Sequence, residues 1–144
     1  ILYQEIESGA RIVEANEAFV VLSPFASQFT AELFIAPMPE FHSHSFLESD
    51  NLFLEALSLT FQKSLARLAK MFNNPPYNIG LHTAPFFRRQ ANGQGGVTIK
   101  EDFHWHFHIR PRIDKIAGLE INEGIFINTM VPEEAARLLR EAAV

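Results

Sequence analysis

A strict alternation of histidine with apolar residues is the clearest pattern in the chain. It covers residues 104–109, which read HWHFHI, and holds three of the six histidines. A period of two is typical of a half-buried β-strand, whose successive side chains point to opposite faces. We therefore predict that the three imidazoles share one face of a sheet while Trp105, Phe107 and Ile109 enter the core.

Shorter runs with β character predict further strands, each bounded by turn-forming residues. Asn16 and Glu17 form the turn of a first hairpin, and Pro37 with Pro39 stops the third strand. The histidine strand ends at Pro111 and is followed by a short segment, Glu120 to Asn122. The predicted strands are Arg11 to Glu14, Ala18 to Leu22, Glu32 to Ala36, Tyr77 to Thr83 and a segment around Ile125 to Ile127.

Helical spacing of apolar residues predicts one long helix, which capping residues around Asp50 begin and Asn73-Asn74-Pro75-Pro76 ends. Pro132 suits the first turn of a C-terminal helix. An amphipathic turn spans Ile1 to Gly9, and the glycine-containing loop from Pro85 to Glu101 either covers a substrate or is a plain surface excursion. The pattern as a whole predicts an α+β fold with a mostly antiparallel sheet.

Composition is that of one globular domain with its own core, because 47% of the 144 residues are hydrophobic and no long apolar run could span a membrane. The net charge of −5 gives no general attraction for nucleic acid. A small phosphate ester could still be held by local arginines. The candidates are Arg88, Arg89, Arg112 and, as the weakest because it is placed on the inward side of the strand pattern, Arg110.

The chain contains no cysteine, which excludes disulfides and cysteine-based zinc sites within it. It shows no signal-peptide pattern, so a cytoplasmic location is the default expectation. Its first residue is Ile1 rather than methionine. We therefore expect a piece of a longer protein or a processed end.

The histidine face points to chemistry on phosphate or metal. Alternate side chains on a strand lie about 6.6 Å apart, so neighbouring imidazoles can act on one phosphoryl group or share one metal ion. Histidine is the commonest metal ligand, and its ordinary pKa of about 6.5 suits acid–base and nucleophilic work. An ordinary polar face is the alternative, although such a face more often carries Thr, Lys or Glu.

At all three histidine positions the run resembles the histidine-triad signature. More specifically, the chain resembles the C-terminal half of the galactose-1-phosphate uridylyltransferase family, which is built from two histidine-triad units. The resemblance rests on several segments in family order. They are 22–27 (LSPFAS), 80–86 (GLHTAPF), the triad, 117–120 (AGLE), 124–128 (GIFIN) and 131–136 (VPEEAA).

The resemblance implies a single histidine-triad-like domain over residues 1–144 that is the C-terminal half of a two-unit enzyme. Such enzymes move a nucleoside monophosphate between sugar phosphates through a covalent nucleotidyl-histidine, and bind a nucleotide sugar or sugar phosphate. The nucleophile of that family lies in a His-Pro-His motif of the N-terminal half, and this chain has no such motif. The half represented here would supply metal-binding and sugar-binding residues.

Residue by residue, His82, His106 and His108 match the histidines that form the family's C-terminal metal site together with a preceding glutamate. Zinc or ferrous iron suits such imidazole ligands. Other relatives hold zinc with a Cys-x-x-Cys pair, which would fall near Ile1 and Gln4, and with His42 and His104. Because both cysteines are absent, we do not expect that second site, and we interpret His42 and His44 as loop histidines.

Glu120 matches a family glutamate that contacts the sugar, and Asn128 lies near a polar sugar-contact position. A carboxylate can accept hydrogen bonds from paired hydroxyls, which makes the hexose contact chemically reasonable. The alternatives are that Glu120 is a solvated charge and that Asn128 caps the turn before Pro132.

A second hypothesis keeps catalysis within this chain. In small histidine-triad enzymes the middle histidine, here His106, attacks the α-phosphate while His104 and His108 donate hydrogen bonds to the phosphoryl oxygens. Asn78 matches an asparagine that orients the phosphate. Since one nitrogen cannot both attack and ligate a metal, this hypothesis competes with the metal site for His106.

A third hypothesis is a non-catalytic unit that only dimerises or binds metal. One histidine-triad unit forms part of a larger sheet, so we expect the partner to be an N-terminal half or a second copy in a homodimer.

Overall fold

The computed structural model describes residues 1–84 and 99–142, which form one antiparallel sheet with helices packed on it. The strands are β1 (Ile12–Ala15), β2 (Phe19–Leu22), β3 (Leu33–Pro37), β4 (Tyr77–His82) and β5 (His106–Pro111). The helices are α1 (Leu2–Ser8), α2 (Asn51–Phe72), α3 (Ile99–Asp102), α4 (Gly118–Glu123) and α5 (Pro132–Glu141). The predicted α+β class, the long helix and the C-terminal helix are confirmed.

The order of strands in the sheet is β1-β2-β3-β5-β4, and every neighbouring pair is antiparallel. The histidine strand β5 thus lies between β3 and β4. In its register, Phe34 of β3 faces His108, and His82 of β4 faces His106. The topology brings residues far apart in sequence beside the histidine run.

The core lies between one face of the sheet and helices α2 and α5. Trp105 and Ile109 are fully buried in it, and Phe107 is partly buried against α2, where its ring meets Phe61 edge-on at 5.0 Å. The residues of β5 that alternate with these, His106 and His108, lie on the opposite face of the sheet. Within β5 the run therefore divides as predicted between an apolar core face and a face with His106 and His108. The prediction for His104 is wrong, because His104 precedes the strand and its ring stacks on His42.

Helix α2 begins and ends where the sequence predicts. The carboxylate of Asp50 accepts a hydrogen bond from the backbone N–H of Phe53 at 2.8 Å, which caps the first turn. Asn73 closes the helix in the left-handed conformation. Leu57 and Leu68 are buried on the face that packs on the sheet, and the other apolar residues of the stripe lie against the same core.

The strand predicted around Ile125 to Ile127 is wrong. The preceding residues form α4, which Gly124 ends with a φ of 65° in the left-handed region, and the three residues then run in irregular backbone. Their side chains are 40–56% exposed. No described strand pairs with these residues, so their preference for β-structure is not supported by hydrogen bonds to a neighbouring strand.

Other boundaries differ by small amounts. The amphipathic turn at the start is a seven-residue helix, α1, which Gly9 caps with a φ of 66°. Pro37 is the last residue of β3 rather than the residue that stops it. The predicted loop from Pro85 to Glu101 lies largely outside the described residues, and its last part contributes to α3.

Strand β4 is an edge strand, hydrogen-bonded to β5 on one side. The residues of β4 that lie on the face opposite to His82 are Tyr77, Ile79 and Leu81. Each is 42–46% exposed. Within the described part of the chain, no helix is both long enough and apolar enough to cross a membrane.

Candidate functional site

Three imidazoles converge at the junction of β4 and β5. His106 and His108 follow each other on one face of β5, and His82 lies directly across the ladder from His106. One ring nitrogen from each of the three residues lies within 4.8 Å of the others. The ordinary alternation of a strand gives two of these positions, and the antiparallel register supplies the third.

Hydrogen bonds leave nitrogen lone pairs free in this cluster. Nδ1 of His106 lies 2.9 Å from the carbonyl oxygen of His104, and Nδ1 of His108 lies 2.7 Å from a carboxylate oxygen of Glu32. Both contacts require Nδ1 to donate, so in each neutral ring Nε2 keeps its lone pair. Such a set of rings can coordinate a cation or attack an electrophile.

Gly80 keeps space open beside these rings. It faces His108 across the ladder, and a Cβ placed on it would lie 3.8 Å from Nε2 of His82. A side chain at this position would therefore contact Nε2 of His82.

Glu32 belongs to the site, although sequence analysis did not single it out. Only 2% exposed, it accepts hydrogen bonds from Nδ1 of His108, from Nε of Arg110 at 2.9 Å and from the backbone N–H of Gln28 at 2.9 Å. Burial alone would raise its pKa, but these donors outweigh that effect and lower the pKa below its usual value. A charged residue opening an otherwise apolar strand was the available signal.

The expectation that Arg110 points inward is wrong. It has the same parity as His106 and His108 and shares their face of the sheet. Its Nε donates to Glu32, and its guanidinium lies 5.9 Å from the ring centroid of Phe29. Counting residues along the strand would have placed it correctly, since positions 106, 108 and 110 all fall on one face.

Burial and neighbouring charges lower the pKa of His82, His104 and His106. The pKa of His106 is lowered to about 4. Burial is the main cause, and the neighbouring histidines add to it. Burial also lowers the pKa of His82, as do His108 and Arg110, and it lowers the pKa of His104. At neutral pH these rings are therefore in the form that binds metal or attacks phosphorus.

His42 and His104 form a second histidine contact. Nε2 of His42 lies 2.9 Å from the carbonyl oxygen of Lys100, Nε2 of His104 lies 2.8 Å from that of Pro37, and their Nδ1 atoms are 3.0 Å apart. His42 lies in a loop, as predicted, but its ring stacks on His104. The four-ligand zinc site considered in the sequence analysis does not fit here, because the chain has no cysteine to complete it.

The predicted substrate-binding residues lie apart from the three clustered histidines. Asn78 is exposed, faces Arg110 across the ladder, and lines a cavity of about 620 Å³ with Arg112 and Lys115. Glu120 lies in the first turn of α4 and accepts a hydrogen bond from the backbone N–H of Ala117.

The amide of Asn128 is used within the protein. Its nitrogen donates to the carbonyl oxygens of Ser27 and Phe29, and its oxygen accepts from the backbone N–H of Met130 at 3.0 Å. This geometry favours the interpretation that Asn128 fixes the turn before Pro132. Arg88 and Arg89 lie outside the described residues.

A cavity of about 680 Å³ opens on the other side of His106. Apolar residues line most of it, among them Leu22, Phe34 and Phe103. The ring of Phe34 stacks on His106 with centroids 4.5 Å apart. His106 thus lies between this apolar cavity and the other two clustered imidazoles.

Comparison with known proteins places this geometry in context. No protein-family model matches the chain. It is 31% identical over 140 residues to an ADP-glucose phosphorylase of Arabidopsis thaliana, covering 97% of this chain and 37% of that protein. It is 30% identical over 147 residues to a galactose-1-phosphate uridylyltransferase of Thermotoga maritima, covering 97% of this chain and 43% of that protein.

Solved structures agree with the sequence matches. A crystal structure of an Arabidopsis thaliana ADP-glucose phosphorylase with bound ADP-glucose aligns at a TM-score of 0.83 and 29% identity, over 97% of this chain and 42% of that one. A zinc-bound histidine-triad protein of Mycobacterium smegmatis shares the fold at a TM-score of 0.62 and 18% identity, over 98% and 91% of the two chains.

The sheet and its helices have the fold of solved histidine-triad proteins. In sequence the chain is similar to enzymes named ADP-glucose phosphorylase and galactose-1-phosphate uridylyltransferase, which confirms the resemblance predicted above. The chain spans about two fifths of the length of the two curated relatives, 37% and 43%.

Proposed function

We propose that this chain is part of a nucleotidyltransferase that moves a nucleoside monophosphate between sugar phosphates. The observation that carries the proposal is the convergence of His82, His106 and His108 in a chain related to two enzymes of nucleotide-sugar chemistry. This part of the enzyme would supply metal-binding and substrate-binding groups. Its substrate is a nucleotide sugar or a sugar phosphate.

The three histidines would hold zinc or ferrous iron. Support comes from the three nitrogen atoms within 4.8 Å of one another and from the hydrogen bonds that leave Nε2 of His106 and His108 free. Neutral imidazoles on rigid strands are ligands that both metals accept. When bound, the metal would supply a cationic structural centre, and a fourth ligand would come from water or a carboxylate.

Polar groups further along the same face are suited to the phosphate and the sugar. Asn78 and Arg112 line one cavity and offer an amide and a guanidinium, which binds phosphate through a bidentate fork. Glu120, partly exposed, remains the candidate for a sugar hydroxyl. Asn128 is the weaker candidate, since its amide already bonds within the protein.

A second histidine-triad unit would complete the enzyme. Among the described residues no strand pairs with the outer side of β4. This edge and its exposed apolar residues Ile79 and Leu81 support the proposal, because exposed sheet edges tend to pair. The unit is an N-terminal half carrying a His-Pro-His motif or a second copy of this chain.

Transfer assays test the proposal. The chain is incubated alone, and then with a His-Pro-His-containing histidine-triad unit, in the presence of ADP-glucose and phosphate or of a uridine nucleotide sugar and galactose 1-phosphate. We expect product only with the added unit, and loss of that product when His82 and His108 are replaced. Failure of both sugar nucleotides to react in the reconstituted enzyme would refute the proposal.

The second candidate is a self-contained nucleotide hydrolase or transferase with His106 as nucleophile. It is favoured by the pKa of about 4, which keeps His106 neutral, and by the hydrogen bond that leaves its Nε2 lone pair free. That lone pair would attack the α-phosphorus, and the bond from phosphorus to the leaving oxygen would break with its electron pair. Water or an acceptor phosphate would then displace the imidazole. His108 would lie beside the phosphoryl oxygens, whereas both ring nitrogens of His104 already contact Pro37 and His42.

Covalent labelling separates the two candidates. A nucleotide sugar or dinucleotide with a labelled α-phosphate should mark the chain by itself through an acid-labile, base-stable phosphoramidate if His106 is the nucleophile. His106→Gly should abolish that label. An unlabelled chain that becomes active with the added unit supports the half-enzyme instead, and an inert chain in both settings supports a non-catalytic dimerisation or metal-binding unit.

A further inference from the structure

We propose that Glu32 is a positioning residue that fixes the tautomer of His108, so that Nε2 of this ring is presented to the metal. The inference rests on the metal site proposed above. It concerns a carboxylate that itself contributes no atom to the three-histidine cluster and lies 76 residues before His108.

The first step is the geometry of the contact. The carboxylate oxygen of Glu32 lies 2.7 Å from Nδ1 of His108, a short distance for a hydrogen bond to a charged acceptor. A carboxylate can only accept when ionised, so Nδ1 must carry the proton. In a neutral imidazole the proton-free nitrogen is then Nε2. Without this acceptor, nothing among the described contacts of His108 selects between its two tautomers.

The second step is the rigidity of the acceptor. The side chain of Glu32 is 3% exposed, and Arg110 and the backbone of Gln28 each donate to it at 2.9 Å. One carboxylate oxygen receives both His108 and Arg110, while the other receives Gln28. The carboxylate therefore cannot rotate away from His108 without losing its hydrogen bonds to Arg110 and Gln28 as well. It holds the ring orientation as well as the proton position.

The third step is the comparison with His106, whose Nδ1 donates to the carbonyl oxygen of His104. The two rings of β5 thus use different acceptors, one backbone and one side chain, for the same purpose. Only the contact to His108 can be removed by substitution. Groups that orient a metal-bound histidine in this way typically contribute 10–100-fold to metal affinity.

The experiment compares Glu32→Ala and Glu32→Gln with the wild type. Glutamine keeps an acceptor oxygen and should retain part of the effect, whereas alanine removes it. Glu14→Gln is the matched control, because Glu14 is also largely buried and pairs with Lys63 and Arg67 on another part of the surface.

Two measurements are made. In metal-free protein, ¹⁵N shifts of the His108 ring should report the Nδ1–H tautomer in the wild type and in Glu14→Gln, and a mixture in Glu32→Ala. Competition titration with a zinc chelator should give affinity about 10–100-fold weaker for Glu32→Ala, with an intermediate loss for Glu32→Gln. Should the alanine variant not fold, the glutamine variant alone must show a shifted tautomer and weaker zinc binding.

An unchanged tautomer in both Glu32 variants would overturn the inference, as would full zinc affinity in a folded Glu32→Ala protein. If the wild type binds no zinc or iron at all, the proposed metal site is wrong, while the tautomer measurement in metal-free protein still decides the role of Glu32.

Discussion

The imidazoles of His82 and His106 stack nearly parallel across two neighbouring strands, with ring centroids 5.0 Å apart and an angle of 8° between the planes. They can do so because the two residues are direct partners in the antiparallel ladder between β4 and β5. Two imidazolium ions at this distance would repel each other, and His82 is one of the neighbours that lower the pKa of His106. The pair is therefore suited to share a cation other than the proton.

Metal content is the first prediction. Protein purified without an affinity tag should contain close to one zinc or iron per chain by elemental analysis, because three imidazoles converge. His82→Ala combined with His108→Ala should lose most of it, and chelation should lower the thermal midpoint of the wild type. His44→Ala serves as the control and should keep its metal. The site would be contradicted if the wild-type protein contained no metal and its thermal midpoint did not change on chelation.

Gly80→Ala tests the space beside the cluster. The added methyl would lie 3.8 Å from Nε2 of His82, where an ion and its remaining ligand need room. We expect several-fold weaker zinc binding by chelator competition and little change in the midpoint of urea unfolding of the metal-free protein. Gly118→Ala, whose methyl would lie 3.9 Å from the amide of Asn122, is the matched control. Equal zinc affinity in the two variants would show that the ion lies elsewhere.

The metal-free protein should lose stability as the pH falls. Burial lowers the pKa of His106 from 6.5 to about 4, so between these values the unfolded chain binds a proton that the folded chain does not. Stability conferred by the neutral ring is therefore present above pH 6.5 and declines toward pH 4. Between pH 7.5 and 5 the loss from this ring is about 2 kcal/mol at most.

Glu32 extends the decline to lower pH, because its folded pKa is also depressed and its contribution is lost as that carboxylate becomes protonated. Urea unfolding from pH 8 to well below 4.5, the ordinary pKa of a glutamate, measures both effects. His106→Gln should flatten the slope between pH 5 and 7, while His44→Gln should retain it. Identical slopes in these two variants would mean that His106 does not remain neutral in the folded protein.

Trp105→Ala should destabilise the fold by about 3–5 kcal/mol, the usual range for removing a buried aromatic side chain. Trp105 is 1% exposed and contacts the rings of Phe19, Phe46, Phe53 and Phe107. Leu52→Ala, at a position 76% exposed, should change stability by only about 0.5 kcal/mol or less. Chemical denaturation monitored by circular dichroism gives both free energies of unfolding. Similar decreases in the two variants would show that Trp105 is not part of the core.

Association through β4 is the last prediction. We expect a homodimer at micromolar concentration by sedimentation equilibrium, with the histidine faces of both copies on a common sheet surface. Ile79→Arg should favour the monomer, since Ile79 is 46% exposed on the edge strand and a charge there opposes burial. Leu47→Arg, at a position 85% exposed and outside the sheet, should leave the dimer intact. A stable, well-folded wild-type monomer would argue against this interface.

Much of the fold can be predicted from the sequence because its elements rest on local physics. The histidine run has the period of a strand, and Asp50 and Asn73 carry the capping chemistry that begins and ends α2. These signals need only neighbours in sequence. The segment at Ile125 to Ile127 shows the limit, since apolar residues with β propensity form a strand only where another strand offers hydrogen bonds.

The sequence by itself determined which residues of β5 share a face, and so placed His106 and His108 together; counting two further residues places Arg110 with them. Only the tertiary structure decided what lies beside them. The register of β4 sets His82 opposite His106, and the position of β3 brings Glu32 against His108 across 76 residues of sequence. Strand pairing between distant segments depends on the packing of the whole core, which no local pattern encodes.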